Sequence, residues 1–139
     1  MNPSTTAEAW DLVSSSYELH VKPVLTRYAA RALQASSLPP GSDVIDIATG
    51  PGTLAMLAAQ AGHRVVAVDF SPRMIAVLEK CLTTESVEPR ICDGTALPFE
   101  DGRFDAGFSM IGIMLFEARA KGLAELHRAQ HAAHVVVGR

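Results

Sequence analysis

Val44-Ile45-Asp46-Ile47-Ala48-Thr49-Gly50-Pro51-Gly52-Thr53 joins an apolar, β-branched run to a glycine turn. A short run of this kind reads as a buried strand of a parallel sheet. Gly50 and Gly52 let the backbone turn sharply and approach a ligand where a side chain would collide. Leu54-Ala55-Met56-Leu57-Ala58-Ala59 then reads as helix, whose free N–H groups point back into the crevice at the turn. In a doubly wound α/β sheet that crevice is where a nucleotide-like group binds.

Outward from this turn, strands and helices alternate. Before it, apolar positions at helical spacing predict helices from Ala7 to about Tyr17 and from Val21 to about Ala35, the second marked by Val24, Leu25, Tyr28 and Leu33. Pro23 suits the first turn of that second helix. Ser36-Ser37-Leu38-Pro39-Pro40-Gly41 then breaks the pattern into a loop. A strand at Asp43–Ile47 leads to a helix over Thr53–Ala61 closed by Gly62. A strand at Arg64–Asp69 passes through Ser71-Pro72, a cap and first-turn pair, into a helix carrying Met74, Ile75, Val77 and Leu78. Further strands are expected at Val87–Cys92, Phe104–Met110 and His134–Val137, separated by the loop Asp93–Arg103 and a helix over Glu117–Gln130. Such alternation means parallel pairing and right-handed crossovers. The expected class is α/β, a doubly wound, mainly parallel sheet of about five strands. It forms a single domain over residues 1–139, with N-terminal helices in 1–40 and the α/β core in 41–139.

Size and charge narrow the function. A chain of 139 residues, 48% hydrophobic and 19% charged, suits one soluble domain with a modest core. Its net charge of −3 argues against a large nucleic-acid surface. Met1-Asn2-Pro3-Ser4-Thr5-Thr6 shows no charged segment followed by an apolar run, so no signal peptide is expected. No apolar stretch has membrane-spanning length. Cys81 and Cys92 lack C-x-x-C spacing and read as reduced thiols of a cytoplasmic protein. His127, His131 and His134 fall at i, i+4 and i+7, a spacing that on one helix face suits a divalent ion. A polar stripe at a helix C-terminus accounts for them more simply, and no acidic partner is evident, so no metal site is expected.

Two further strand ends give the glycine turn its meaning. Asp69 closes Val65-Val66-Ala67-Val68-Asp69 roughly twenty residues beyond Asp46, where a carboxylate can accept both hydroxyls of a ribose. The adjacent Phe70 offers a face to the base. At the end of the third strand, in Cys92-Asp93-Gly94-Thr95-Ala96-Leu97-Pro98-Phe99, Asp93 can accept from an exocyclic amine while the backbone reads the adenine edge. Any one of these acids alone is best read as a strand-end cap. Three in order, each at a carboxyl end, read as a site.

These stretches resemble class I S-adenosylmethionine-dependent methyltransferases of the small-molecule branch that includes the ubiquinone/menaquinone C-methyltransferases. The likeness is carried by Asp46–Gly52, by Val65–Met74 and by Asp93–Asp105, and runs from about Ala7 to Arg128. It implies S-adenosylmethionine as cofactor, S-adenosylhomocysteine as product and a small-molecule acceptor. It also implies that Asp46 orders the turn and, with the backbone at Ala48, Thr49, Gly50 and Gly52, faces the methionine part. By the same likeness Asp69 binds the ribose, Phe70 and Met74 flank the adenine, and Asp93 with Gly94-Thr95 reads it. Ser109 and Met110 would lie where cofactor and acceptor meet, and Tyr17 would close over the site. No catalytic base is implied: His20 and Glu117 read more simply as surface or core residues. Met110 and the following Ile111, Ile113, Met114, Leu115 and Phe116 would offer an apolar wall to a small apolar or aromatic acceptor.

The sequence departs from the family twice. Ala48 stands where many members have the first glycine. After Leu123-Ala124-Glu125-Leu126-His127-Arg128 the usual proline and paired glycines are replaced by Ala129-Gln130-His131-Ala132-Ala133-His134, and the antiparallel sixth and seventh strands are not expected. His134–Val137 would then be an apolar sheet edge, which soluble proteins cover. A homodimer through that edge, or cover from the N-terminal helices, is expected. Two other functions stay open: a shortened, non-catalytic cofactor-binding module acting through a partner, and an NAD-dependent dehydrogenase sharing the turn and acidic ribose residue.

Overall fold

The computed structural model describes residues 6–110, 117–130 and 135–138, with only the backbone given at 15, 17–19, 22 and 135–138. Along the chain these form α1 (Ala7–His20), α2 (Lys22–Ser36), β1 (Asp43–Ile47), α3 (Thr53–Gln60), β2 (Arg64–Asp69), α4 (Pro72–Cys81), β3 (Val87–Ile91), β4 (Ala106–Met110), α5 (Arg119–Ala129) and β5 (Val135–Gly138). The five strands make one sheet in the order β3-β2-β1-β4-β5, and every neighbouring pair is parallel. The expected α/β class and strand number agree with this.

The order fixes where helices must lie. From β1 the chain steps outward through β2 to β3, then returns to place β4 on the other side of β1. Right-handed crossovers in opposite directions put their helices on opposite faces. Accordingly Val44, Val65, Ala67, Ala106 and Phe108 pack with Ala29 of α2, Leu54, Ala55 and Ala58 of α3, and Ile75 and Leu78 of α4. Ile45, Ile47, Val66 and Val68 point the other way, against Leu97, Phe104 and Leu126 and Ala129 of α5. Gly107 lets α5 approach: a Cβ there would sit 2.3 Å from Leu126 Cδ1. The reversal of direction between β1 and β4 is the switch point, where open α/β sheets bind ligands beyond their carboxyl ends.

Boundaries differ slightly from those read in the sequence. β4 begins at Ala106, and Phe104 makes only an isolated bridge with Gln130. α5 stops at Ala129 and Gln130 is extended, and of the histidines spaced at 127, 131 and 134 only His127 lies on the helix as described. His131 and His134 lie outside the described residues. On α2, Leu25 and Ala29 are buried and Leu33 packs on the core, but Val24 and Tyr28 are more than half exposed. Helical period alone widened that stripe; the packed side of α2 is narrower and meets α1, α3 and β5.

At one edge, Ser86 C=O accepts from Val65 N–H and Cys92 N–H donates to Asp69 C=O, so the even-numbered peptides of β3 face β2. Pro89 therefore falls in the outward row, where its missing N–H costs no ladder bond. Exposed Glu88 and Arg90 pair beside it at 2.9 Å. Such surface pairs stabilise by less than about 1 kcal/mol.

A stronger ionic grip holds the loop between β3 and β4. Arg128 on α5 donates to Leu97 C=O (3.2 Å), Phe99 C=O (2.8 Å), Asp101 (2.6 Å) and Glu125 (2.8 and 3.0 Å). Glu125 also accepts from Leu97 N–H at 2.8 Å. The Arg128 guanidinium holds the Glu125 carboxyl below the usual carboxylate range. Because carbonyl acceptors lose their partner together with the ion pair, Arg128→Met should cost about 2 kcal/mol. Thermal unfolding should show Tm lowered by roughly 5–10 °C. A change under about 1 °C would mean the loop is held by other contacts.

Candidate functional site

The glycine turn follows directly from β1 and is tied to β2 at two points. Thr49 N–H continues the sheet pairing by donating to Val68 C=O at 2.9 Å. Gly50 N–H donates to Asp69 Oδ2 at 2.8 Å. The other oxygen, Asp69 Oδ1, accepts from Ser71 N–H at 3.0 Å. One buried carboxylate thus joins the turn after β1 to the start of α4. Burial pushes the Asp69 carboxyl above its ordinary range, against the opposing hydrogen bonds of Ser71 and Gly50.

Asp46 lies beneath the turn. Its Oδ2 accepts from Thr49 Oγ1–H at 2.7 Å, while Oδ1 is buried with no partner. Burial is the main cause raising this carboxyl to about 7; the nearby Asp69 charge adds to it and the Thr49 hydrogen bond opposes it. Thr53 Oγ1, at the first position of α3, is likewise buried and unpartnered. Gly52 is the N-cap of α3 and supplies no side-chain cap. The first turn of α3 therefore keeps its N–H groups for another acceptor.

Backbone conformation explains the small residues here. Gly50 and Gly52 have φ of +57° and +86°, and Ala48 has +56°. A Cβ on Gly52 would sit 2.2 Å from Leu78 Cδ1 in the core. Ala48 occupies the left-handed region with a Cβ, which is strained by about 1–2 kcal/mol relative to a right-handed or extended backbone.

The remaining expected site residues are placed as follows. Phe70 is half-buried beside Asp69, and Met74 is buried at the start of α4, its N–H donating to Ser71 Oγ at 3.2 Å. Asp93 is exposed after β3 and folds its own loop, accepting from Thr95 N–H (2.8 Å) and Thr95 Oγ1–H (2.7 Å). Gly94 is buried. Ser109 is fully buried in β4 and Met110, at the strand's end, packs partly on the core. Tyr17 contributes its backbone to α1, and its side chain lies outside the described residues, as do residues 111–116 of the expected acceptor wall. His20 and Glu117 are exposed. The structure thus gathers Asp46, Thr49, Gly50, Gly52 and Asp69 into one bonded unit. A groove of about 400 Å³ lined by residues 36–42 and Asp105 lies at the opposite, amino end of β1 and β4, away from this unit.

Asp11 of α1 escaped sequence reasoning. Ser71 was legible as a helix cap, but its hydroxyl also donates to Asp11 Oδ1 on α1, which in turn accepts from Arg73 N–H at 3.0 Å. No local signal pairs residues this far apart.

Residues 44–131 match the family described as a methyltransferase domain. The chain belongs to that family. It is 35% identical over 106 residues to the demethylmenaquinone methyltransferase of Thermus thermophilus, covering 73% of this chain and 48% of the relative. The chain spans about half the length of the curated relatives it matches. Among solved structures, the complex of the Haloferax volcanii Trm112 methyltransferase activator with its methyltransferase partner matches with a TM-score of 0.81 at 23% identity, over 92% of this chain and 58% of that one. Haemonchus contortus phosphoethanolamine N-methyltransferase 2, solved with phosphomonomethylethanolamine and S-adenosylhomocysteine, matches with a TM-score of 0.73 at 27% identity, over 78% of this chain and 27% of that one. Among the described residues, no helix is long and apolar enough to cross a membrane and no cluster of candidate metal ligands occurs.

Two stability measurements test this geometry. Ala48→Gly should stabilise by about 1 kcal/mol, raising Tm by roughly 4 °C, because strain is relieved at the cost of a freer unfolded chain. Unchanged or lowered Tm would show that the turn is not held in the left-handed region. A buried acid with a raised carboxyl binds more protons in the folded state, so its contribution to stability falls as pH rises through about 4 to 7. Asp46→Asn should therefore gain on the natural chain across that window, by on the order of 3–4 kcal/mol in urea unfolding. Parallel pH profiles would remove the buried-charge account.

Proposed function

We propose that this domain binds S-adenosylmethionine across the carboxyl ends of β1, β2 and β3 and supports methyl transfer to a small apolar or aromatic acceptor. One observation carries the reading: the Asp69 carboxylate binds the glycine turn yet keeps acceptor capacity, since a carboxylate accepts at about four sites and the N–H groups of Gly50, Ser71 and Phe70 do not fill them. A ribose hydroxyl suits what remains. The unpartnered Asp46 oxygen and the uncapped start of α3 support the methionine end, whose charges are an ammonium and a carboxylate. In this reading Ala48, Thr49, Gly50 and Gly52 cradle that end, Phe70 and Met74 flank the adenine, and Asp93 with Gly94 and Thr95 meets its edge. Ser109 and Met110 border the acceptor, and Tyr17 on α1 helps to close the crevice. The Thermus thermophilus relative, by its name, favours a quinone-like acceptor.

The cofactor supplies an activated methyl group on a sulfonium, so the chain's own residues need to align and exclude water rather than provide strong acid–base chemistry. Asp69 and Asp46 give the crevice negative character that favours a cation. The turn, rigid through its bonds to Val68 and Asp69, fixes the donor's direction.

Calorimetric titration with S-adenosylhomocysteine should show one site, weakened at least tenfold in Asp69→Ala, as a charge-assisted hydrogen bond to the ribose and the tie that shapes the turn are lost. Binding of a reduced nicotinamide instead would replace this reading with a dehydrogenase. Binding without methyl transfer across quinone-like and phenolic acceptors would make the domain a cofactor-holding module.

The edge strand supports a homodimer. β5 pairs with β4 on one side and is outermost among the described residues. Light scattering should give twice the monomer mass, reverting to the monomer in Val136→Lys; a monomer in the natural chain would rule the dimer out.

A further inference from the structure

Among the described side chains of α1, a polar contact ties the helix to the start of α4. Leu12 is 82% exposed and Val13 is 42% exposed, so neither anchors the helix in a core. Between Trp10 and Leu12, Asp11 instead reaches the start of α4, where its Oδ1 accepts from both Ser71 Oγ–H (2.5 Å) and Arg73 N–H (3.0 Å). Those partners lie two and four residues beyond Asp69. Ser71 is the junction: its N–H donates to Asp69 Oδ1, its oxygen accepts from Met74 N–H, and its hydroxyl proton goes to Asp11.

We infer that Asp11 is a positioning residue that latches α1 beside the cofactor crevice by way of Ser71, so that docking of α1 and filling of the ribose site favour each other. The inference rests on the cofactor reading above. A ribose bound to Asp69 steadies the Asp69-Phe70-Ser71 turn, and a steadier turn presents the Ser71 hydroxyl and Arg73 N–H to Asp11 more often. By reciprocity, a latched α1 strengthens ribose binding by the same factor. Without the latch, α4 still has Ser71 as its own cap, so what is lost is the link and not the helix.

The test uses amide hydrogen exchange and calorimetry on the full chain with S-adenosylhomocysteine. In the natural chain, the ligand should slow exchange both in residues 49–53 and along α1. In Asp11→Ala, α1 should exchange at least tenfold faster without ligand while β1 and β2 keep their rates. Affinity should fall about three- to tenfold, and saturating ligand should protect residues 49–53 but not α1. Asp11→Asn keeps an oxygen that accepts both bonds and should restore most of the protection and affinity. Exchange of α1 in Asp11→Ala that matches the natural chain overturns the latch, with or without ligand. Faster exchange in β1 and β2 as well would assign Asp11 a general structural role and equally defeat it. If the natural chain binds no S-adenosylhomocysteine, the cofactor reading fails, and the ligand-free exchange of α1 still decides the latch.

Discussion

A carboxylate at the end of β2 holds together parts of the chain that the sheet alone would leave separate. Asp69 accepts from Gly50 in the turn after β1 and from Ser71 at the start of α4, and is buried while doing so. The bonds to two backbone N–H groups lower the cost of burying the acid, and the acid in return fixes the turn's shape. Remove that constraint and the left-handed backbone at Ala48, Gly50 and Gly52 keeps only the Thr49 N–H bond to Val68 C=O as its tie to the neighbouring strand. The crevice is therefore a consequence of β1 and β2 pairing in the observed register, with Ile47 opposite Val68.

The site stores unfavourable terms that the rest of the domain offsets. Asp46 and Asp69 are both buried and both carry raised carboxyls, Asp46 Oδ1 and Thr53 Oγ1 have no partner, and Ala48 is strained. Opposing them are two dense apolar layers on either side of the sheet and the Arg128 grip on the return loop. Unpartnered buried groups and strained backbone concentrate where a ligand is to be held.

Much of this fold was legible because its signals are local. The run Val44–Ile47, the glycines after it and the Ser71-Pro72 cap each announce their conformation within a few residues. The order of acids at strand ends was legible too, since parallel sheets bring carboxyl ends together. What stayed hidden depends on distance or on backbone angles. Ala48 could be seen as a small substitute for glycine, but not as a residue with positive φ. The exposure of Val24 and Tyr28 depends on how α2 lies on α3, which helical period does not record. Arg128 reaching three segments of a loop about thirty residues away, and Asp11 reaching Ser71, depend on the assembled topology.

The outward row of β3 has a directional consequence. With Pro89 interrupting its donors and a charged pair flanking it, that edge resists a further strand, whereas β5 presents no proline among its four residues. Among the described residues the sheet is therefore asymmetric as a template: the β5 side suits extension, whether by another segment or another molecule, better than the β3 side. Growth on that side leaves the carboxyl ends of β1, β2 and β3 untouched. A domain so built can acquire new neighbours without disturbing the crevice at those strand ends.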